Sequence, residues 1–331
     1  MIDLTTHYAG LKLKSPIIAA SSGMTDSMQK IQILEDSGVG AIVLKSLFEE
    51  EIIKEMENVA NQMMANPLTY PDTYDMFDLV DDKNSVQDYL DLIREAKSKT
   101  SVPLIASINC QSDQKWIYFS KKIQNAGADA LELNMFIMPS DFDKPNTADI
   151  ERTYFSVVNE VCRQVSIPVT IKISSYFSNL GPFLQQLSQT RIKGMVLFNR
   201  FFAPDYDLDT LDLIPSFVLS TPADIQYTLR WMAIMYNRVD CDLAASTGVH
   251  DGNGVIKQIL AGANATQIAS TLYKNGPAFI KTMHEQIISF MKEREFSKID
   301  DFRGLLSQKH VRNPASFERV QFIKNFRNLT S

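Results

Sequence analysis

Eight short apolar segments, separated by longer amphipathic segments, constrain the fold of this chain more than any other feature of its sequence. Their apolar character is largely continuous rather than alternating, which is typical of parallel strands that are covered on both faces. The segments are residues 16–21, 40–46, 102–109, 128–134, 167–173, 193–199, 241–246 and 265–270. Parallel strands need long crossover connections, and helices usually provide them.

Three of the connecting segments carry signals for the start and the end of a helix. Asp26 is a plausible N-cap of the first helix, and Gly38 is a plausible stop. A second helix is expected between Ser112 and Gly127, and residues 251–264 repeat the arrangement. Strand, helix and glycine in regular alternation predict an α/β fold, specifically a (β/α)8 TIM barrel. A doubly wound open sheet is the alternative, but it usually carries a GxGxxG turn, which this sequence lacks.

Three segments lie outside the repeat. Residues 4–13 predict an N-terminal hairpin that covers the barrel floor. Residues 47–85 form a long βα segment, which we expect to be a lid or a substrate wall because βα loops surround the active site of a barrel. Residues 297–331 form a C-terminal extension, which would pack as an extra helix or contact a partner. We expect one domain over residues 1–331.

Composition excludes several classes of function. A formal net charge of -6 argues against a nucleic-acid-binding protein, which needs a basic face. No apolar run of about 18 residues is present, so we expect no membrane span. The three cysteines, Cys110, Cys162 and Cys241, form neither a CxxC motif nor a Cys/His cluster, so we expect no metal site and no disulfide framework. The N-terminus lacks the apolar core of a signal peptide, and we expect a cytoplasmic protein.

Polar residues end five of the apolar segments. They are two lysines, Lys45 and Lys172, and three asparagines, Asn109, Asn134 and Asn199. The active site of a TIM barrel lies at the C-terminal ends of its strands, where these residues would meet. A buried lysine is costly unless it is paired or faces an anionic or electron-rich ligand. The alternative is that both lysines extend to the barrel rim.

Small residues follow the last two strands, in the sequences STGVHDGNG at 246–254 and IASTLYKNG at 268–276. They precede helix N-termini, where backbone amides bind phosphate, although turn chemistry is the alternative. A phosphate site together with two lysines at strand ends predicts a phosphorylated cofactor with an electron-poor ring. A lysine beside the pyrimidine edge of a flavin would stabilise its anionic reduced form.

On these residues the sequence resembles the dihydroorotate dehydrogenase family, and within it the soluble class 1 branch. The matching motifs are SSGM (21–24), GAIVLKS (40–46), LELN (131–134), IPVTIKIS (167–174) and AGANATQIASTLYKNGPAFI (261–280). The resemblance implies an FMN-binding barrel that oxidises the CH–CH group of a dihydropyrimidine in pyrimidine biosynthesis. It also implies a homodimer.

The same resemblance implies two sets of contact residues. FMN would be contacted by Ser22, Lys45, Ser46, Asn134, Lys172, Thr247, Gly248, Ala269 and Ser270. The substrate would be contacted by Lys45, Asn109, Asn134, Asn199 and Arg200. Lys45 would in addition support catalysis electrostatically.

The residues after Asn134 depart from the family pattern, which places a cysteine or serine base there. Depending on the alignment, the base position falls on Ile137 or on Met138, and neither side chain accepts a proton. The catalytic base is therefore unknown. We expect the flavin site to be retained and dihydroorotate oxidation to be impaired or replaced by another substrate.

Three hypotheses follow, in order of preference. The first is an FMN-dependent oxidoreductase of the dihydroorotate dehydrogenase type. The second is a flavin- or pyrimidine-binding paralogue without turnover. The third is an aldolase-like barrel that uses Lys172 or Lys45 to form a Schiff base.

Overall fold

The structure, a computed structural model, describes residues 2–50, 85–109, 113–138, 147–200, 204–215 and 218–318. Most of the segment predicted to be a lid, residues 51–84, lies outside the described residues. So do Cys110, the predicted helix cap Ser112 and the end of the C-terminal extension, residues 319–331.

A closed barrel of eight parallel strands forms the centre of the fold, as the sequence predicts. The chain opens with the antiparallel hairpin of β1 (Thr6–Tyr8) and β2 (Leu11–Leu13). The barrel strands are β3 (Ile17–Ala19), β4 (Ala41–Val43), β6 (Leu104–Asn109), β7 (Ala130–Asn134), β8 (Val169–Ile173), β9 (Gly194–Leu197), β12 (Asp242–Ser246) and β13 (Ala265–Ile268). Each pairs in parallel with the next, and β13 pairs with β3 to close the ring. All eight lie within the predicted segments.

Three further strands lie outside the ring. The short β5 (Leu47–Phe48) pairs in parallel with β6. The other two, β10 (Pro204–Tyr206) and β11 (Leu213–Pro215), form an antiparallel hairpin after β9 that the sequence analysis did not predict.

Helices surround the barrel. They are α1 (Met28–Ser37), α2 (Ser85–Lys99), α3 (Asp113–Ala126), α4 (Thr147–Gln164), α5 (Leu180–Ser188), α6 (Ile225–Met235), α7 (Gly252–Ala261), α8 (Ser270–Asn275) and α9 (Phe279–Glu293). Gly38 and Gly127 end two of them with φ of 95° and 100°, in the left-handed region that favours glycine. The predicted N-cap of α1 was wrong by one residue. Ser27 holds that position with an extended backbone, and the Asp26 carboxylate instead accepts a 2.7 Å hydrogen bond from the Lys30 ammonium.

The N-terminal hairpin closes one end of the barrel, as predicted. Tyr8 is fully buried and packs against strand residues that point into the barrel, including Ile105, Ala130 and Ala265. Because side chains of a strand alternate between its two faces, the residue two positions further along each strand also points inward. The next interior layer is therefore polar. It contains Ser107, Glu132, Ser246 and Gln267.

The described part of the C-terminal extension packs on its own chain. Backbone amides of Gly304 and Leu306 donate to carbonyls of Ile259 and Leu260 on α7. This part forms short 3₁₀ turns, such as Ile299–Asp301, and packs against α7. Residues 297–318 contain no α-helix, and the remainder of the extension, for which an extra helix was one of two expectations, lies outside the described residues.

Candidate active site

Two adjoining cavities open at the C-terminal ends of the strands. One has a volume of about 660 Å³ and extends toward the loops after β12 and β13. The other has a volume of about 1140 Å³ and extends toward the ends of β4, β6 and β7. They share Ser21, Lys172, Asn199 and Arg200 as lining residues. Ligand groups bound in the two cavities would therefore meet beside Lys172 and the other shared residues.

Every predicted contact residue lines one cavity or both. The smaller cavity is lined by Thr247, Gly248, Ala269 and Ser270, together with the shared residues. The larger is lined by Ser22, Lys45, Ser46, Asn109, Asn134, Ile137 and Met138 in addition to the shared residues. The barrel thus brings together residues that are separated by up to 248 positions, from Ser22 to Ser270. Their roles toward a ligand remain predictions.

Serine hydroxyls connect the ends of β3, β4 and β6. Ser46 is buried, its backbone amide donates to Ser21 Oγ at 2.8 Å, and its own Oγ lies 2.8 Å from Ser107 Oγ. The Tyr89 hydroxyl donates to the Ser107 carbonyl and accepts from the Ser107 amide. These bonds fix the floor of the larger cavity with groups that can both donate and accept.

Two asparagines form a pair between the ends of β7 and β9. Asn199 Nδ2 donates to Asn134 Oδ1 at 2.8 Å, and Asn199 Oδ1 accepts the Arg200 amide at 3.0 Å. Asn134 Nδ2 lies 3.4 Å from Ser46 Oγ. The amide planes are therefore oriented by the protein before any ligand binds, which reduces the entropy that binding costs.

The two predicted lysines differ in environment. Lys172 is 6% exposed, and its ammonium donates to Gln267 Oε1 at 3.1 Å. Burial lowers the pKa of Lys172, and the nearby Glu132 carboxylate opposes that shift. Lys45 lies with its side chain exposed at the edge of the larger cavity. The argument that a buried lysine needs an electron-rich ligand thus applies to Lys172, while Lys45 extends to the rim.

The segment on which the predicted base position falls is an apolar wall of the larger cavity. Met135 is buried and Met138 is 47% exposed. The Tyr154 hydroxyl lies 3.4 Å from both the Ile137 amide and the Met135 carbonyl, so α4 supports the segment from behind. Burial raises the pKa of the Tyr154 hydroxyl, so it stays protonated and does not act as a base at neutral pH.

The predicted phosphate site lies in the loops after β12 and β13, and its role toward a phosphate stays a prediction. The first amides of α7 are satisfied by the protein itself, because Asp251 accepts from Gly254 and Gln286 accepts from Gly252. The amides of Gly252 and Gly254 are therefore engaged within the protein. The preceding loop lines the cavity instead, with Thr247 and Gly248 in the left-handed region at φ 76° and 79°.

The side chains of His250 and Lys274 contact Ser220, which lines the part of the smaller cavity near Ser270. Ser220 Oγ lies 3.0 Å from His250 Nε2, and the Lys274 ammonium donates to the Ser220 carbonyl at 2.8 Å. The Ser220 amide donates to Ser270 Oγ at 2.9 Å. Burial, and then the charge of Lys274, lower the pKa of His250, which favours its neutral form. The Ser220 and Ser270 side chains thus lie together at this part of the cavity, with Lys274 and His250 behind Ser220.

The cavity residues fit a phosphorylated flavin. A volume of about 660 Å³ lies in the range of about 300–1,000 Å³ that is usual for cofactor sites. Its inner end carries the buried ammonium of Lys172, and its outer end carries Ser220, Gly248 and Ser270. A Cβ at Gly248 would lie 2.1 Å from the Ile225 backbone nitrogen, so only glycine allows the loop to pack there.

Sequence reasoning missed Gln267, which lines the smaller cavity, and Glu132, which lies beneath it. The signal was present, because each is a polar residue inside an apolar segment. Glu132 is two positions before Asn134, so strand alternation places both on the same face. Among the described residues, no group of three histidine, cysteine or acidic side chains could hold a metal ion.

Comparison with known proteins places the chain in a family. The family model described as Dihydroorotate dehydrogenase matches residues 3–291. The catalytic subunit of dihydroorotate dehydrogenase B (NAD(+)) from Thermoplasma volcanium is 26% identical over 320 residues, which cover 92% of this chain and 99% of that protein. The same subunit from Methanocaldococcus jannaschii is 25% identical, covering 89% of this chain and 95% of that protein.

A third relative has a different name. The chloroplastic dihydropyrimidine dehydrogenase (NADP(+)) of Arabidopsis thaliana is 23% identical, covering 91% of this chain and 76% of that protein. The family match spans nearly the whole barrel, including both cavities and the strand ends that line them. This chain belongs to the dihydroorotate dehydrogenase family.

Proposed function

We propose that this chain is an FMN-dependent oxidoreductase of the dihydroorotate dehydrogenase type, acting on a CH–CH group of a pyrimidine-like ring. One observation carries the proposal. Lys172 lies where the two cavities meet, between a loop region suited to phosphate and a pair of asparagines suited to an amide edge. The relatives' names, dihydroorotate dehydrogenase and dihydropyrimidine dehydrogenase, support a ring of this class.

The residues of the smaller cavity would bind the cofactor, and those of the larger cavity would bind the substrate. Bound FMN would supply the hydride acceptor. The Lys172 ammonium would stabilise negative charge at the inner end of the smaller cavity, where low polarity makes that charge interaction strong. In the larger cavity, Asn109, Asn134 and Asn199 would orient a substrate amide edge, and Lys45 would add positive charge.

Arg200 adds a specificity element. Its guanidinium donates to the Val218 carbonyl at 2.8 Å, which fixes the side chain beside both cavities. A guanidinium at this place suits a substrate carboxylate or the acidic residues of the predicted lid. The first acidic residues of that lid, Glu49 and Glu50, are described, and Glu50 lines the larger cavity together with Arg200. Residues 51–84 lie outside the described residues.

The apolar segment at Ile137 and Met138 supports a second candidate, a flavin- or pyrimidine-binding protein without turnover. Removal of a proton from carbon needs a positioned base, and this wall offers none. The aldolase-like alternative has less support. A Schiff-base lysine must be neutral to attack, whereas Lys172 donates to Gln267 and lies near the Glu132 carboxylate.

We expect the purified protein to be yellow, with one FMN per chain, and to bleach when dithionite is added anaerobically. Anaerobic mixing with dihydroorotate should reduce the flavin slowly or not at all, because the base is absent. A visible spectrum and stopped-flow mixing measure both. A colourless preparation that does not take up FMN would contradict the flavin site, and rapid multiple turnover with dihydroorotate would contradict the role given to the missing base.

We also propose that the chain is a homodimer. The β10–β11 hairpin supports this, since it projects apolar side chains such as Leu208 and Leu211, which are 84% and 83% exposed. Exposed apolar surface of this kind commonly marks an interface. Light scattering during gel filtration should give twice the chain mass of 37.4 kDa. Leu208→Asp with Leu211→Asp should give the single-chain mass, and a wild-type protein of that mass would contradict the proposal.

We propose one FMN-binding domain over residues 1–331, in a cytoplasmic setting, with the segment at 47–85 as a lid. Cys162 and Cys241 are free thiols, which supports a reducing compartment such as the cytoplasm. Burial raises the pKa of Cys162 to about 11 and that of Cys241 to about 12, so both thiols stay protonated and unreactive. Among the described residues, no helix has the length and apolar character to cross a membrane.

A further inference from the structure

A chain of three buried polar side chains runs down the barrel axis from the cavities. The Lys172 ammonium donates to Gln267 Oε1 at 3.1 Å, and Gln267 Nε2 donates to Glu132 Oε2 at 2.5 Å. An ammonium has only donors and an ionised carboxylate only acceptors. The Gln267 amide must therefore point its oxygen to Lys172 and its nitrogen to Glu132, so it connects a cation to an anion.

The topology fixes this arrangement. Strands β7 and β8 pair so that Asn134 lies opposite Lys172 and Glu132 lies opposite Thr170. Glu132 is thus one interior layer below Lys172 and cannot reach the cavity ligand itself. Gln267, on β13, bridges across the barrel interior between the two layers. Each of the three side chains is at most 6% exposed, so water does not screen their charges.

Among the described residues, the Glu132 carboxylate has one hydrogen-bond partner, the side chain of Gln267. Glu132 Oε1 has no hydrogen-bond partner among the described residues. Two further buried titratable groups lie near it, the hydroxyls of Tyr8 and Tyr89. Burial, followed by the charge of Glu132, raises the pKa of the Tyr8 hydroxyl, and burial likewise raises the pKa of the Tyr89 hydroxyl, to which Glu132 also contributes. Both therefore stay neutral, and Lys172 is the cation among the described residues that offsets the charge of Glu132.

We propose that Glu132, acting through Gln267, keeps Lys172 protonated and aimed at the junction of the two cavities. Glu132 is a positioning residue, because it lies below both cavities and acts on the Lys172 ammonium only through Gln267. Gln267 itself lines the smaller cavity, and its amide oxygen accepts from that ammonium. This inference rests on the proposed function, because the ligand that a protonated Lys172 would stabilise is a flavin whose reduced form carries negative charge.

Two physical models predict opposite signs for loss of the Glu132 charge. If Glu132 acts only through space, its removal makes the site more positive and favours reduced flavin. If Glu132 maintains the charge of Lys172, its removal leaves a buried lysine without a counter-ion, and such lysines lose their proton near neutral pH. The site then loses a positive charge, and reduced flavin is disfavoured.

The test is the midpoint potential of the FMN-loaded protein at neutral pH, measured against reference dyes. We expect Glu132→Gln to disfavour the reduced flavin at least tenfold, which is about 30 mV for a two-electron couple. Gln267→Met should shift the potential in the same direction. Gln258→Met is the matched control, because Gln258 is also fully buried but makes no hydrogen bond through its amide atoms. It should leave the potential unchanged.

An unchanged or more positive potential in Glu132→Gln would overturn the inference. The FMN-free chain provides a test that does not depend on the proposed function. In a double-mutant cycle of Glu132→Gln and Lys172→Met, the two changes in unfolding stability should be strongly non-additive, because each single change strands the other charge. Additive effects would overturn the coupling, whereas failure of the wild type to bind FMN would overturn only the proposed function.

Discussion

Lys172→Met is expected to make the stability of the fold depend strongly on pH. Burial raises the pKa of Glu132, and Lys172 is the neighbour that lowers it. Without the lysine, the pKa of Glu132 in the folded state rises further above its unfolded value of about 4.3. A raised folded pKa stabilises the fold at low pH, and that contribution is lost as the pH rises from the unfolded value through the folded value.

The size of the effect follows from the same linkage. One proton contributes at most about 1.4 kcal/mol per pH unit, so over the three units from pH 5 to pH 8 the variant should lose about 3–4 kcal/mol relative to wild type. Chemical denaturation at several pH values measures it. The double variant Glu132→Gln/Lys172→Met should lack this slope. Lys193→Met, which removes an exposed lysine next to β9, is the control and should behave as wild type. A slope of the opposite sign in Lys172→Met would show that Glu132 is not the titrating group.

A cysteine in the apolar wall is expected to restore proton abstraction. Ile137→Cys and Met138→Cys each place a thiol on a residue that lines the larger cavity. A positioned general base contributes about 10²–10⁴-fold to a rate, so we expect one of the two variants to gain about that factor in flavin reduction by dihydroorotate. The gain should increase toward pH 8.5, since a free thiol ionises near that value.

The matched controls are Ile137→Ala and Met138→Ala, which remove the same apolar side chains without supplying a base. Stopped-flow reduction of the bound flavin separates the chemical step from product release. A gain at Met138 alone would assign the family's base position to Met138, and a gain at Ile137 alone would assign it to Ile137. No gain in either cysteine variant would show that the substrate, and not only the base, has changed.

The sequence predicted most of the barrel because its determinants are local. An apolar segment such as residues 169–173 contains enough information to be a buried parallel strand, and Gly38 and Gly127 mark helix ends by their backbone freedom alone. The clustering of the residues at the strand ends could also be predicted, because the C-terminal ends of all parallel strands lie on the same face of a barrel. The cap of α1 was missed by one residue because Asp26 and Ser27 have similar cap preferences and packing decides between them.

What the sequence could not supply was the environment of each charge. Lys45 and Lys172 both follow apolar strands, yet one lies at the rim and the other is buried beside a glutamine from the opposite side of the barrel. Two amides at the start of α7, those of Gly254 and Gly252, donate to Asp251 and to the distant Gln286, and the second of these partners could not be read from the local sequence.

The sequence by itself determined the α/β barrel, its floor hairpin, the family and the set of residues at the strand ends, because alternation and turn chemistry act over a few residues. The tertiary structure alone decided that Lys172, Gln267 and Glu132 form one buried chain. Lys172 and Gln267 are 95 positions apart in the sequence, and Gln267 and Glu132 are 135 positions apart. Only closure of the barrel brings them within hydrogen-bonding distance. Desolvation and charge pairing depend on that closure, so the electrostatic character of the site is a property of the fold.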